Sequence, residues 1–257
     1  MIALSFDIEE FDLPAEHGVR LPMAKQLEVS SEGAVAILDL LDGMGVKATF
    51  FCTAFFAEQR PALIARMVSS GHEIASHSYY HSKFSTDDLA TSRTVLEQIS
   101  GTAVRGFRAP RMAKISMAEL LVAGYEWDSS LNPCFVPGRY NNFSAPRRPF
   151  SSEGIMEIPA SVSPLLRVPL FWLSAHNIPL GVYKYMCNKA LRKDGVLTLY
   201  FHPWEFSLAL HNETFKVPFY IRRNSGLKLS MRLASLIEYF KVRKAQFVTL
   251  SEVAKSE

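Results

Sequence analysis

Gly71-His72-Glu73-Ile74-Ala75-Ser76-His77-Ser78-Tyr79-Tyr80-His81 is the stretch on which the reading of this chain turns. Upstream, Pro61 opens a helix whose apolar positions are Leu63, Ile64, Met67 and Val68, and Gly71 ends it. Residues 73–76 then read as a short strand that delivers His77. On a helical turn, residues four apart point the same way, so His77 and His81 are expected to reach one metal ion. A chain with seven histidines can produce that spacing by chance, so the pair alone defines nothing. Nor is it a metalloprotease signature, because His77 follows His72-Glu73 one residue too late.

The same unit of helix, glycine and strand recurs on both sides of this stretch. Residues 2–6 read as a buried strand running into the acidic cluster Asp7, Glu9, Glu10 and Asp12. Ser30 or Ser31 caps the expected next helix, whose face is Val35, Leu38, Leu41 and Met44. Residues 48–52 form a second strand and residues 104–107 a fourth, which delivers Arg108. A segment 125–127 runs into Asp128. Residues 196–201, strongly apolar, deliver His202-Pro203-Trp204-Glu205. Residues 156–159 and 247–250 are further strands, and residues 181–193 and 227–241 further helices. Pro164, Pro169 and Pro179 break residues 162–179, so no regular helix is expected there.

Strands alternating with helices imply a parallel sheet, open or closed. In such folds the C-terminal ends of the strands share one face, and active sites lie there. Asp7, His77, Arg108, Asp128 and His202 each stand at such an end. Two imidazoles and a carboxylate form an N2O ligand set with open positions, which suits a water-activating divalent metal. Glu9 points to the same side as Asp7, so one acid can ligate while the other acts as base. Glu10 and Asp12 suit a solvated loop as well as a site. Arg108 is the natural partner of one carboxylate. His202 follows a strand too apolar for the surface and reads as a general acid or a core histidine, with Asp128 available to tune it. His17, His72, His176 and His211 have no such placement and read as structural.

Length and composition set the outer bounds. With 257 residues, 48% of them apolar and 21% charged, the chain is expected to form one globular domain over 1–257. A formal net charge of +3 argues against nucleic acid as partner. Cys52, Cys134 and Cys187 are odd in number and widely spaced, which suits a reducing cytoplasm. Met1 passes directly into an apolar strand without a basic start, so no signal peptide is expected, and no run approaches the ~20 apolar residues of a membrane span.

The ordered set Ser5-Phe6-Asp7, His77-Ser78-Tyr79-Tyr80-His81, Arg108-Ala109-Pro110, Asp128 and Leu199-Tyr200-Phe201-His202 resembles the five motifs of the polysaccharide deacetylases, the NodB-homology group or carbohydrate esterase family four. The resemblance runs from residue 2 to about 205. It implies an α/β fold, a single-domain distorted (β/α) barrel of about seven strands. It also implies a metal-dependent hydrolase, usually a zinc enzyme, that removes acetyl from N-acetylated sugars. By that likeness Asp7 is the general base, Arg108 orients it, and His202 is the general acid tuned by Asp128. His77 and His81 are metal ligands. The family has two adjacent aspartates where this chain reads Asp7-Ile8-Glu9, which makes Glu9 the third ligand. Arg111 stands where the family often has Tyr, and Trp127 precedes Asp128 instead of following it. Tyr79, Arg111 and Trp204 are the expected substrate-binding residues.

The missing export signal and the resemblance together point to a cytoplasmic N-acetylated intermediate of lipopolysaccharide O-antigen or exopolysaccharide. Residues 165–180 with Arg222, Arg223, Lys228 and Arg232 are the candidate face for peripheral contact with a membrane-bound lipid carrier. The rival readings are a deformylase or cyclic-amide hydrolase of the same superfamily, and a degenerate glycan-binding protein. A two-His, one-carboxylate iron oxygenase shares the ligand set, but no second cosubstrate site is evident.

Overall fold

Residues 1–256 are described by the computed structural model, the Tyr140 side chain excepted. Its spine is strand β1 (Ile2–Ile8), buried along its whole length. A strand covered on both faces must read as a continuous apolar run, and Ile2 to Phe6 does, apart from Ser5. Around β1 lie β2 (Thr49–Cys52), β3 (Glu73–Ser76), β4 (Gly106–Phe107) and β5 (Trp127–Asp128). A two-stranded ribbon, β6 (Phe135–Val136) and β7 (Tyr140–Asn141), stands apart, and β8 (Phe150–Ser152), β9 (Ile155–Glu157), β10 (Leu197–Phe201) and β11 (Phe247–Val248) follow. The main sheet runs β10-β1-β2-β3-β4-β5-β9-β8, with β11 beside the first residues of β1. Every pairing in it is parallel except β8 with β9.

The sheet curls towards closure, as expected, but the last seam is not a strand ladder. Thr198 of β10 accepts from the Ser161 amide at 2.9 Å, and its own amide donates to Ser161 Oγ at 2.9 Å. A serine side chain stands where a second backbone bond belongs, which is the distortion of the barrel.

Helices α1 (Met23–Met44), α2 (Ala54–Gln59), α3 (Pro61–Ser69), α4 (Leu89–Ser100) and α5 (Met117–Val122) follow the first strands. Further on come α6 (Trp172–Asn177), α7 (Leu180–Asp194), α8 (Phe219–Arg222), α9 (Leu227–Lys241) and α10 (Leu250–Ser256). Ile2, Leu4, Phe6 and Ile8 face outward into the helix layer, while Ala3 faces inward. Leu250 and Val253 of α10 pack with Ala3, Phe51, Ala75 and Trp127, and Trp127 Nε1 donates to Ser251 Oγ at 2.9 Å. This covers the end of the interior where the strands begin.

Three local expectations give way. Helix α1 begins at Met23, directly after Pro22, well before Ser30 and Ser31, which are interior to it. Ser31 is tolerated there because its hydroxyl donates back to the Leu27 carbonyl at 2.6 Å. A short helix, α6, does form between Pro169 and Pro179, since proline blocks a helix interior and not the gap between two prolines. Finally, the last strand is shorter than read: only Phe247–Val248 pair, and α10 already begins at Leu250.

Candidate active site

Alternation along β1 decides the first part of the site. Side chains two apart share a face, so Ala3, Ser5, Asp7 and Glu9 rise in sequence up the interior. Asp7 and Glu9 arrive at the open end, both buried. Glu9 Oε2 lies 3.3 Å from His77 Nε2 and 3.1 Å from His81 Nε2, and the three ligand atoms all lie within 4.8 Å of one another.

The two histidines do not converge by the expected route. Residues 77–81 are not helical; Ser78 takes a left-handed conformation (φ 67°) that folds the chain back. The amides of Ala54 and Phe55, at the start of α2, donate to the carbonyls of Ser78 and Tyr79 at 3.0 Å each. The rings then stack at 5.6 Å.

Hydrogen bonding decides what these rings present. His77 Nδ1 lies 2.8 Å from the Arg108 carbonyl and His81 Nδ1 3.0 Å from Asp12 Oδ1. Both partners accept, so both Nδ1 atoms carry the proton, and in the neutral ring each Nε2 turns a lone pair towards Glu9 Oε2. Glu9 Oε2 is itself buried with no hydrogen-bond donor. Three electron pairs facing one point without a proton between them fit a cation, and two imidazoles with one carboxylate suit a divalent one.

Asp7 keeps out of this cluster. Its Oδ1 accepts from Arg108 at 2.6 Å, while Oδ2 faces His202 Nε2 at 3.9 Å. Arg108 is fully buried over the Phe51 ring, and donates also to Ser5 Oγ and to the carbonyl and hydroxyl of Ser129. The cleft lined by Asp7, Glu9, His77, His81, Arg111 and His202 therefore holds the candidate ligands together with a candidate base and acid.

Asp128 does not tune His202. Its oxygens accept from the Ser130 hydroxyl and amide at 2.7 and 3.2 Å, and it faces Glu157. Ser130 Oγ in turn accepts from the Ala109 amide at 2.8 Å, so Asp128 positions the Arg108 loop instead. Burial raises both carboxyls of the Asp128–Glu157 pair, and Glu157 is pushed well up by burial and by Asp128. The carboxylate that holds His202 is Glu205, whose Oε1 lies 2.8 Å from Nδ1 and also accepts the His202 amide at 2.6 Å. Burial lowers the His202 ring, but Glu9, Glu205 and Asp7 outweigh it, and the ring is raised to about 9.

Of the three residues expected to bind substrate, Arg111 lines the cleft, paired with Asp12 at 2.8 Å and Glu16 at 3.2 Å. Trp204 also lines it but is almost wholly buried, donating to Glu9 Oε1 at 3.1 Å and stacking on His202 at 4.8 Å. Its face is taken by His202, so it is part of the scaffold. Tyr79 is not on the wall, and its hydroxyl donates to Glu58 at 3.1 Å.

Glu157 and Glu205 were given no role by sequence, Glu10 and Asp12 suited a loop as well as a site, and His176 read as structural; all five are buried around the site. Glu10 accepts from the His81 amide at 3.1 Å, so it and Asp12 are supports of the His81 loop and not solvated acids. Only Glu205 carried a readable signal, an acid three residues after His202 in a capping-box position. His72 is structural as expected: its Nδ1 accepts the Ala48 amide, and burial lowers the ring to about 4.

Comparison with known proteins agrees with the motif resemblance. Residues 1–118 match the polysaccharide deacetylase family model. A chitooligosaccharide deacetylase from Sinorhizobium fredii is 37% identical over 82 residues, which are 29% of this chain and 38% of that protein. The match thus spans well under half of that relative. A solved structure described as a probable polysaccharide deacetylase from Pseudomonas aeruginosa superposes over 99% of this chain and 89% of the other, with TM-score 0.70 and 16% identity. An allantoinase superposes over 99% and 88%, with TM-score 0.67 and 15% identity. At those identities the two structures share the fold with this chain.

Proposed function

We propose that this chain, whose residues 1–118 match the polysaccharide deacetylases, hydrolyses the N-acetyl amide of an amino sugar in a glycan or its biosynthetic intermediate. One observation carries the proposal. The buried, donorless Glu9 Oε2 faces two imidazole lone pairs in the same cleft where Asp7 faces His202 at 3.9 Å. Glu9, His77 and His81 would hold a divalent ion, with zinc the family's usual choice. When bound, that ion supplies Lewis-acid polarisation of the acetyl carbonyl and of water.

The remaining chemistry belongs to the chain. Arg108 fixes Oδ1 of Asp7, leaving Oδ2 to take a proton from the attacking water. As the carbon–nitrogen bond breaks, His202 Nε2 gives its proton to the amine, which cannot leave as an anion. Glu205 holds the proton on Nδ1 and stabilises the imidazolium, so the proton that can be given up is the one on Nε2. Water is consumed; acetate and the free amine are released. A binding protein needs neither base nor acid, so their opposition across the cleft favours hydrolysis over glycan binding alone.

For the substrate we favour an N-acetylated intermediate of O-antigen or exopolysaccharide assembly in the cytoplasm. Three buried, unpaired cysteines suit a reducing compartment. Among the described residues no helix is long and apolar enough to cross a membrane. The basic residues expected to face a lipid carrier are arranged otherwise: Arg232 donates to the carbonyls of Ala175 and Ile178, and Arg222 pairs with Glu213. Leu165 and Leu166 are exposed instead beside Lys189, Arg192 and Lys193, and this face is the candidate for lipid contact.

Asp7→Asn is expected to abolish release of acetate while metal content stays intact, and His77→Ala to lose both. Full activity in either variant sinks the assignment. A panel of N-acetyl, N-formyl and cyclic-amide substrates separates the reaction from its superfamily rivals, with turnover of the ring amide alone deciding against deacetylation.

A further inference from the structure

His176 lies outside the cleft, wholly buried on α6, yet both of its ring nitrogens are engaged. Nδ1 is 2.7 Å from the Arg223 carbonyl, and Nε2 is 2.7 Å from Glu205 Oε2. A carbonyl can only accept, so Nδ1 bears a proton. Turning the ring over would set carbon against both oxygens and lose both contacts. Neither tautomer of a neutral imidazole serves two acceptors. The second contact therefore needs one more proton, held on Nε2 or on Glu205.

The other oxygen of Glu205 decides where it sits. Oε1 accepts twice, from the His202 amide at 2.6 Å and from His202 Nδ1 at 2.8 Å. Two donors on one oxygen and a third aimed at the other stabilise the carboxylate form. Resting on the assignment of His202 as general acid, we propose that His176 is a positioning residue for it. His176 carries protons on both ring nitrogens and shares the outer one with Glu205. This clamps the carboxylate and partly cancels its charge, so that Glu205 orients His202 without holding its proton too tightly. The chain is Arg223 carbonyl, His176, Glu205, His202, and it ends at the cleft.

The surroundings leave His176 this role alone. His202 is faced by Asp7 from β1 at 3.9 Å, by Glu205 from its own turn, and electrostatically by Glu9. Its ring faces meet Trp204, Trp172 and Tyr200, which carry no charge. Glu205 is faced by His176 and, at longer range, by the Tyr183 hydroxyl, which donates to the Leu170 carbonyl. The Arg232 guanidinium runs past α6 to the Ala175 and Ile178 carbonyls. Among these groups, His176 is the one cation that touches Glu205 on the side away from His202. Trp172 packs edge-on against both imidazoles.

The test is imidazole nitrogen NMR of the zinc-loaded, 15N-histidine-labelled protein, with signals assigned by their loss in His176→Gln and His202→Gln. At neutral pH both nitrogens of His176 are expected to be protonated; a single neutral tautomer overturns the proposal. The titration midpoint of His202 is then followed in the same spectra. His176→Gln, which keeps a donor but removes the charge, is expected to raise that midpoint by about one pH unit, and Glu205→Gln to lower it. An unmoved midpoint in His176→Gln also overturns it. None of these readouts needs turnover, so a wild-type protein with the expected spectra and no deacetylation rejects the proposed reaction and not the proton arrangement. Where turnover is present, the basic limb of kcat/KM shifts with the His202 midpoint, because the acid must be protonated to act.

Discussion

At the scale of single residues, Asp12 shows how a candidate metal site depends on atoms outside its ligand set. It holds His81 Nδ1 at 3.0 Å with one oxygen and Arg111 at 2.8 Å with the other. The first bond fixes the tautomer that presents Nε2, and the second ties the cleft wall to the ligand shell. Asp12→Asn is expected to weaken zinc binding about tenfold, read by competition with a chromophoric chelator, because outer partners of ligating histidines contribute roughly 10–100-fold. Glu9→Gln removes a ligand charge and is expected to cost more than Asp12→Asn. Unchanged affinity in Glu9→Gln excludes it as the third ligand. Alternation along a strand pointed to Glu9, and that is legible in sequence. That Asp12 reaches His81 across 69 positions is not, because the left-handed Ser78 that turns the His loop towards it carries no sequence signal of its own.

At the scale of elements, the site depends on how closely α1 approaches the turn after β10. A methyl group added to Gly33 would lie 1.7 Å from the Pro203 carbonyl oxygen, so only glycine permits this contact. The turn carries His202, Trp204 and Glu205. Gly33→Ala must therefore push backbone against backbone, with an expected loss of about 2 kcal/mol or more in urea unfolding. Turnover should fall at least tenfold, because His202 moves and Trp204 of the same turn supports Glu9; a variant as stable and active as wild type refutes the close fit. Helix periodicity located the end of α1 but not its start, because residues 23–31 are too polar to show a face, and Gly33 reads as an ordinary helix interruption until the turn is seen against it.

At the scale of the molecule, α10 covers the end of the barrel where the strands begin, and the candidate site lies at the other end. Away from the seam, Leu165 and Leu166 project with 87% and 78% of their surface exposed, from a loop held by Arg167 donating to the carbonyls of Pro133 and Ala145. The exposed residues of α7 beside them include Lys189, Arg192 and Lys193. The acid nearest in sequence, Asp194, is buried and paired with Arg147. Apolar tips ringed by unopposed cations suit an anionic bilayer surface. Co-sedimentation with phosphatidylglycerol vesicles is expected at low salt, lost at high salt, and weakened severalfold by Leu165→Ser with Leu166→Ser. No sedimentation at either salt removes the membrane contact.

Strand ends, helix stops and the order of Asp7, His77, Arg108 and His202 are local properties, written in apolar periodicity, proline and glycine. They were enough for the class of fold, for the two histidines that meet Glu9 and for the face on which the cleft lies. Asp128 and Glu205 were not separable that way. Each follows or ends a strand near His202, and which carboxylate meets the ring depends on whether the turn after β10 folds back on itself. It does: Glu205 reaches His202 through three residues, while Asp128 turns to Ser130 and Glu157. His176 was out of reach altogether, since its role exists only where α6, the Arg223 carbonyl and the Glu205 carboxylate meet. Local sequence determines which groups are present and roughly which way they face; the proton each one holds is decided by distances of about 3 Å between segments far apart in the chain, and only packing sets those.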